Sequence, residues 1–468
     1  SIHYNFLYMK KIVCSLLAFS LSAQLANAQF NFAQIQNQQT HNLAAAQLPS
    51  LLGDDIRTGE VFLLNPSIGF ANNFISAYDI QKLSGNGALS NTYIDDVLRK
   101  IPKQGTVWAG ADIPLLNVFF NINKKNHERF LSFGLGMREK IDFNFSLNKD
   151  LLSLLYKGNK QFAGSTVNLS PSLNFLFYNE YFLAAAGQFQ LFKNDTTRKP
   201  IIIKPALRLR YLNGMASIYM SKANIDMYTD PEGRYINFNT QLEANMSSAI
   251  DTPDIESALG DINLNSFKGA GKGFGIDLGV GATLFENLQV HAALIDIGSI
   301  HFKRNTINYT KDASYTYDGI DLNNEGETIN TTQLNDLIQP DKTYNAYKQP
   351  LPTRLILSGF YGLGPKTKRR VTYYMHNISL VYVQGFRNYL NATTKPTVNI
   401  GYAYNIYNMV NTGIGITVGG LNKIQAGAQL GFRLGAVKLG FASNNLLPII
   451  TAKAGRGTDF NMWLGFYF

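Results

Sequence analysis

The C-terminal strand pattern constrains this chain more than any other feature. Phe460, Met462, Leu464, Phe466 and Phe468 are apolar at every second position, with Asn461, Trp463, Gly465 and Tyr467 between them. Successive side chains of a strand point to opposite faces, so this period of two gathers the five on one side. An α-helix would spread the same residues around its circumference. The segment is therefore expected to be a strand with one broad apolar face.

The other end reads as an export signal preceded by a short upstream extension, residues 1–8. Met9 is followed by Lys10 and Lys11, then by a mainly apolar run from Ile12 to Leu25, then by Ala26-Asn27-Ala28. A charged start, an apolar run too short to span a bilayer and a small-x-small site define a cleaved secretory signal. Cleavage is expected after Ala28, with Gln29 as the first mature residue. Cys14, the single cysteine, lies inside the signal. The mature chain then has no disulfide, thiol nucleophile or cysteine metal ligand. With an export signal at one end, the terminal strand resembles the recognition signal of outer-membrane barrels. Its five apolar residues are the expected handle for the barrel-assembly machinery.

Composition fits that direction. Charged residues make up 16% of the chain, against about 25% in a typical soluble domain. Aromatics reach 12%, and 40 residues are glycine. No stretch after the signal approaches the roughly 20 apolar residues of a membrane helix. Aromatic belts and alternating walls are what a transmembrane β-barrel needs. The net charge of +10 suits anionic lipopolysaccharide or acidic ligands without choosing between them. The basic residues are scattered, which argues against nucleic acid.

Strand-like alternation dominates from about residue 101. Phe274, Ile276, Leu278 and Val280 alternate with Gly273, Gly275, Asp277 and Gly279; Ile414, Ile416 and Val418 alternate with Gly413, Gly415 and Thr417. The expected fold is all-β, a transmembrane antiparallel β-barrel of about 14 strands (roughly 12 to 18) with long extracellular loops. Residues 101–468 would form it. Residues 29–100 read as an irregular, plug-like N-terminal segment, with a short helix capped by Asn91. Arg138-Glu139-Lys140, Tyr178-Asn179-Glu180 and Leu212-Asn213-Gly214 read as inner turns. Thr229–Gly269 and Asn305–Gln349 read as long outer loops, and a short helix is expected near Asp150–Tyr156.

Little here carries chemistry. His41, His127, His291, His301 and His376 show no i, i+4 zinc spacing. The glycine run Gly269–Gly275 departs from a phosphate loop, because Gly273 follows Lys272 where Ser or Thr is needed. No G-x-S-x-G elbow occurs. No catalytic, cofactor-binding or metal-binding residue is therefore expected, and the chain is not read as an enzyme. Asp277 and Asp296 are charges among apolar residues. They are expected to face the lumen, paired with Arg208, Arg210, Lys272 or Arg433, because a charge facing lipid costs several kcal/mol.

Several stretches together resemble a known family. They are GFGIDLG at Gly273–Gly279, LIDIGSIHFK at Leu294–Lys303, YDGIDL at Tyr317–Leu322, DLLSLLYKGN at Asp150–Asn159 and LRLRYLNG at Leu207–Gly214. Their order is similar to that of an uncharacterised family of Bacteroidetes outer-membrane barrels, domain of unknown function 5723. The resemblance implies a barrel broadly similar to fatty-acid-transporter-like barrels and to barrels associated with type IX secretion. It transfers no catalytic or ligand residue. Two functions follow as expectations. One is passage or uptake of small amphipathic or anionic molecules. The other is a structural role with a secretion-machine or surface-assembly partner.

Overall fold

The computed structural model describes residues 30–54, 59–84, 91–123, 129–192, 197, 199–249, 268–317, 339–368 and 371–468. The export signal, His127, residues 250–267 and 318–338 of the two expected loops and most of the YDGIDL stretch lie outside them. The described strands close into one antiparallel transmembrane barrel of 14 strands. β1 is made of two pieces, Gly59–Leu63 and Ser67–Asn72; β2 is Gln104–Asn123, β3 Arg129–Asn148, β4 Ser172–Gly187 and β5 Ile201–Thr229. β6 is Gly271–Leu284, β7 Leu288–Phe302, and β8 joins Tyr347–Pro350 to Arg354–Lys368. β9 is Val371–Gly385, β10 Thr397–Ile406, β11 Val410–Gly419, β12 Lys423–Leu434, β13 Val437–Ser443 and β14 Gly457–Tyr467.

The seam is β1 against β14, with Glu60 opposite Tyr467 and Ser67 opposite Asn461. Closure leaves no strand edge exposed to lipid, where an unpaired backbone group has no water to bond. Pro66, which has no N–H, interrupts β1. The seam is bridged there by other atoms. The Leu464 amide donates to Asn65 Oδ1 at 2.8 Å, and the Met462 amide donates to the Pro66 carbonyl at 3.1 Å. We call the end of the barrel where Gly59 meets Phe468 the terminal end.

Alternation sorts the wall. On β6, Phe274, Ile276, Leu278 and Val280 point outward, Phe274 being 71% exposed, while Gly273, Gly275 and Asp277 face inward. On β14, Phe460, Leu464, Phe466 and Phe468 are exposed and Met462 half-buried on the outer face. Trp463 and Tyr467 are buried inside. The outer surface is thus a continuous apolar band, solvated by lipid. No helix among the described residues is long and apolar enough to cross a membrane.

Three expectations need correction. The wall begins at Gly59, not near residue 101, because β1 completes the barrel. The three inner turns at 138–140, 178–180 and 212–214 are mid-strand positions of β3, β4 and β5. Their polar residues resemble turn chemistry, but alternation sends Arg138, Lys140 and Glu180 into the lumen, where they are buried. The stretch Thr229–Gly269 is not one loop. Ile236–Ser248 is a strand pairing with the outer part of β5 and with Ile307–Tyr317. This outer sheet is two-faced. Met227, Phe238 and Tyr315 line up across one side, and Asn224, Gln241 and Asp312 across the other. Helices at Asn91–Lys100 and Lys149–Lys157 occupy the expected places.

A bulge lies between β6 and β7, where pairing shifts between Ile276 and Leu278. It sends both Ile295 and Asp296 inward and leaves Asp296 at φ 58°. Gly298 follows at φ 148°, and a Cβ there would lie 2.1 Å from the Phe274 carbonyl oxygen. Gly298→Ala should therefore cost about 1–3 kcal/mol of barrel stability. The shift in urea midpoint of the refolded barrel, followed by tryptophan fluorescence, measures it. An unchanged midpoint would contradict the strain assigned to this position.

Candidate functional site: the filled lumen and its vestibule

β3 to β8 carry a cluster of buried charges into the lumen. Cross-strand register sets two of the pairs: Arg208 lies opposite Asp277, and Arg138 opposite Glu180. Arg208 bonds Asp277; Arg210 reaches Asp277 at 2.9 Å, Asp296 at 2.8 Å and Glu180 at 3.2 Å. Arg138 grips Glu180 through Nη2 at 2.7 Å and Asp112 through Nη1 at 3.0 Å. Arg354 Nη2 donates to Asp296 at 2.6 Å, and Lys140 Nζ lies 3.9 Å from the same carboxylate. Gly275 leaves room for this packing, since a Cβ there would sit 2.9 Å from Arg210 Nε.

Of the expected lumen charges, Arg208, Arg210, Asp277 and Asp296 are brought together. Lys272 is not. It shares its parity with Phe274 on β6 and is exposed on the outer face near the end of the strand. Arg433 faces inward but stands apart from this cluster. Arg138, Lys140, Glu180 and Arg354 escaped the sequence reading. The first three sat in presumed turns, and Arg354 opens a strand just after Pro352.

The rest of the lumen holds residues 30–54. Phe30, Ile35, Leu48 and Leu51 are buried with Ile295, Ile356 and Val381 of the wall. Around that apolar contact the segment is tied by amides. Asn31 Nδ2 donates to Asn461 Oδ1 at 2.7 Å, Gln38 Nε2 to Asn377 Oδ1 at 2.8 Å, and Gln36 bonds Asn399. The Ser50 hydroxyl meets His291 Nδ1 at 2.7 Å. Wall glycines make the space. A Cβ on Gly401 would meet the Gln36 amide at 2.2 Å; one on Gly279 would meet the Ser50 backbone nitrogen at 3.2 Å; one on Gly431 would meet Asn37 at 2.9 Å.

Both ends differ from this filled middle. Opposite the terminal end, the connection after β9 folds inward. Leu390 is fully buried, and the Tyr389 ring packs 5.7 Å from that of Tyr219. Asn391 Nδ2 reaches Asp142 Oδ2 at 3.4 Å. At the terminal end a vestibule of about 370 Å³ remains beneath the plug, bounded by Gln38, Gln39, Phe360, Asn377, Arg433 and Tyr467 among others.

Asp296 is the hub of the charge cluster. Asp296→Asn keeps its shape and its tolerance of positive φ but removes the carboxylate shared by Arg210, Arg354 and Lys140. Leaving buried cations uncompensated should cost roughly 3–5 kcal/mol. A lower temperature for loss of the folded, fast-migrating band on gels would register it. Unchanged migration would mean that the cluster adds little to stability.

Comparison with known proteins adds a family. No curated protein matches. Among solved structures, the chain resembles the Pseudomonas putida toluene transporter TodX at 10% identity and a TM-score of 0.40, covering 91% of this chain and 94% of that one. It resembles the translocator domain of the autotransporter NalP from Neisseria meningitidis at 6% identity and a TM-score of 0.32, covering 93% and 97%. The outer-membrane protease OmpT from Escherichia coli follows at 9% identity and a TM-score of 0.22, covering 88% and 96%. Likenesses this distant bring neither substrate nor activity to this chain. The family comparison is specific: residues 57–444 match one model, described as "Family of unknown function", and the chain belongs to that family, DUF5723.

Proposed function

We propose that this protein is an outer-membrane barrel that passes small molecules when residues 30–54 are displaced. The observation that carries this reading is the division of the lumen. One half is filled by wall side chains, the Arg–carboxylate cluster. The other is lined by small residues such as Gly401 and Gly431, and the N-terminal segment packs into it beside wall side chains such as Trp463. Eight strands already enclose an interior that side chains can fill, and 14 enclose much more. Moving the segment would therefore open a path along the glycine-lined side, leading into the vestibule. Export through the signal ending at Ala28 and placement of the terminal end in the periplasm belong to the same reading. So does contact of the basic surface with lipopolysaccharide.

Conductance tests it. In planar bilayers the native barrel should be mostly closed. Gly401→Leu, whose side chain collides with Gln36, should give steady single-channel current. Silence from both, with the folded band intact on gels, would overturn passage through the lumen. The structural reading would then stand in its place. It is favoured by the length of β5, which has 29 residues where a bilayer needs about 9–11, so the strand and the sheet built on it continue past the membrane, within reach of a secretion or surface-assembly partner.

The outward row Phe460, Met462, Leu464, Phe466 and Phe468 serves in this reading as the signal for barrel assembly. Deleting Phe468 should lower the amount of folded barrel in outer-membrane fractions several-fold, with synthesis unchanged. Equal amounts would remove that role.

A further inference from the structure

We propose that the vestibule at the terminal end binds a small molecule carrying a carboxylate on a single ring, with Arg433 as its anchor. The inference deepens the passage reading by naming what the vestibule holds. Arg433 is 6% exposed and points inward from β12, its guanidinium 4.3 Å from the centre of the Tyr467 ring. The other buried cations each lie within ion-pair distance of a carboxylate: Lys438 with Glu60, Lys204 with Asp54, and the arginines and Lys140 of the charge cluster. Arg433 has none among the described residues, and its Nε has no hydrogen-bond partner there.

A second group points the same way. Gln39 of the plug is 2% exposed, lines the same space, and leaves both its side-chain oxygen and nitrogen without partners. Arg433 is thus stacked on Tyr467 but not charge-paired within the described residues, and a ligand that meets its guanidinium and the Gln39 amide offsets the cost of burying them. A carboxylate matches the guanidinium fork with two parallel hydrogen bonds and cancels its charge. Phe360 and Tyr373 also line the space and give it an aromatic part suited to a flat body. At about 370 Å³ the space is within the range of small-molecule sites and near its lower bound, which favours one ring over an extended chain.

Titration calorimetry on the full, closed barrel in detergent tests the site with benzoate, its neutral analogue benzamide, and inorganic phosphate. Benzoate should bind saturably. Benzamide should bind at least about tenfold more weakly, as expected for losing a charged hydrogen-bonded pair. Arg433→Gln should weaken benzoate by a similar factor, and Arg433→Lys by less. If Arg433→Gln fails to fold, the benzoate–benzamide comparison on the native protein still decides. Absence of saturable benzoate binding overturns the proposal, as does equal binding of benzamide. Phosphate binding as tightly as benzoate overturns the ring-carboxylate assignment. Binding is read on the closed barrel, so its failure leaves the conductance test of passage untouched, and a silent barrel that binds benzoate separates the two the other way.

Discussion

Backbone pairing across the seam governs the rest of the molecule. A strand inside a bilayer has no water to satisfy its N–H and C=O groups, so a sheet in lipid must close on itself. Here closure falls to β1 and β14, and β1 contains a proline. The Asn65 side chain accepts the Leu464 amide and the Pro66 carbonyl accepts the Met462 amide, so pairing continues past the interruption. Once the ring is closed, each strand has one face in lipid and one in an enclosed space. Both the outer apolar band and the charges within follow from that division.

The enclosed space poses a different problem from the outside. Its charges are tolerable because they are balanced: arginines and carboxylates meet across adjacent strands at register positions that place them face to face. The bulge at Ile295 and Asp296 adds one carboxylate at the point where three cations converge. On the remaining side the wall recedes to glycine and the chain supplies its own filling. The same residue type thus appears in two roles, as space beside Arg210 and as space for the plug.

The outer half of this design was legible in the sequence, because a period of two needs no tertiary knowledge. The terminal row and the β6 row are visible as soon as parity is counted. Parity also excludes Lys272 from the lumen, since it belongs with Phe274. The inner half was harder. Arg138-Glu139-Lys140 has the polarity of a turn, and only its place within a continuous 20-residue strand shows that two of the three are lumen charges. β1 was hidden by Pro66 and by its polar inward residues. The fit of residues 30–54 depends on glycines and asparagines distant in sequence, such as Gly401 and Asn461. No local pattern announces such a partnership. Arg433 reads as a lumen charge, but its lack of a carboxylate partner among the described residues appears only when the strands are assembled.

The position of residues 30–54 also bears on the order of biogenesis. They are joined to β1 through a short connection, and β1 pairs with a strand more than four hundred residues later. A segment packed with Phe30, Ile35 and Leu48 against the inner wall has to be inside when that last pairing forms, or else thread in afterwards from the terminal end, where β1 begins. The first route is the simpler. The N-terminal segment would serve as a template on which the half-made sheet curls. Seam formation would then be the slow, committing step, as expected for contacts so far apart along the chain.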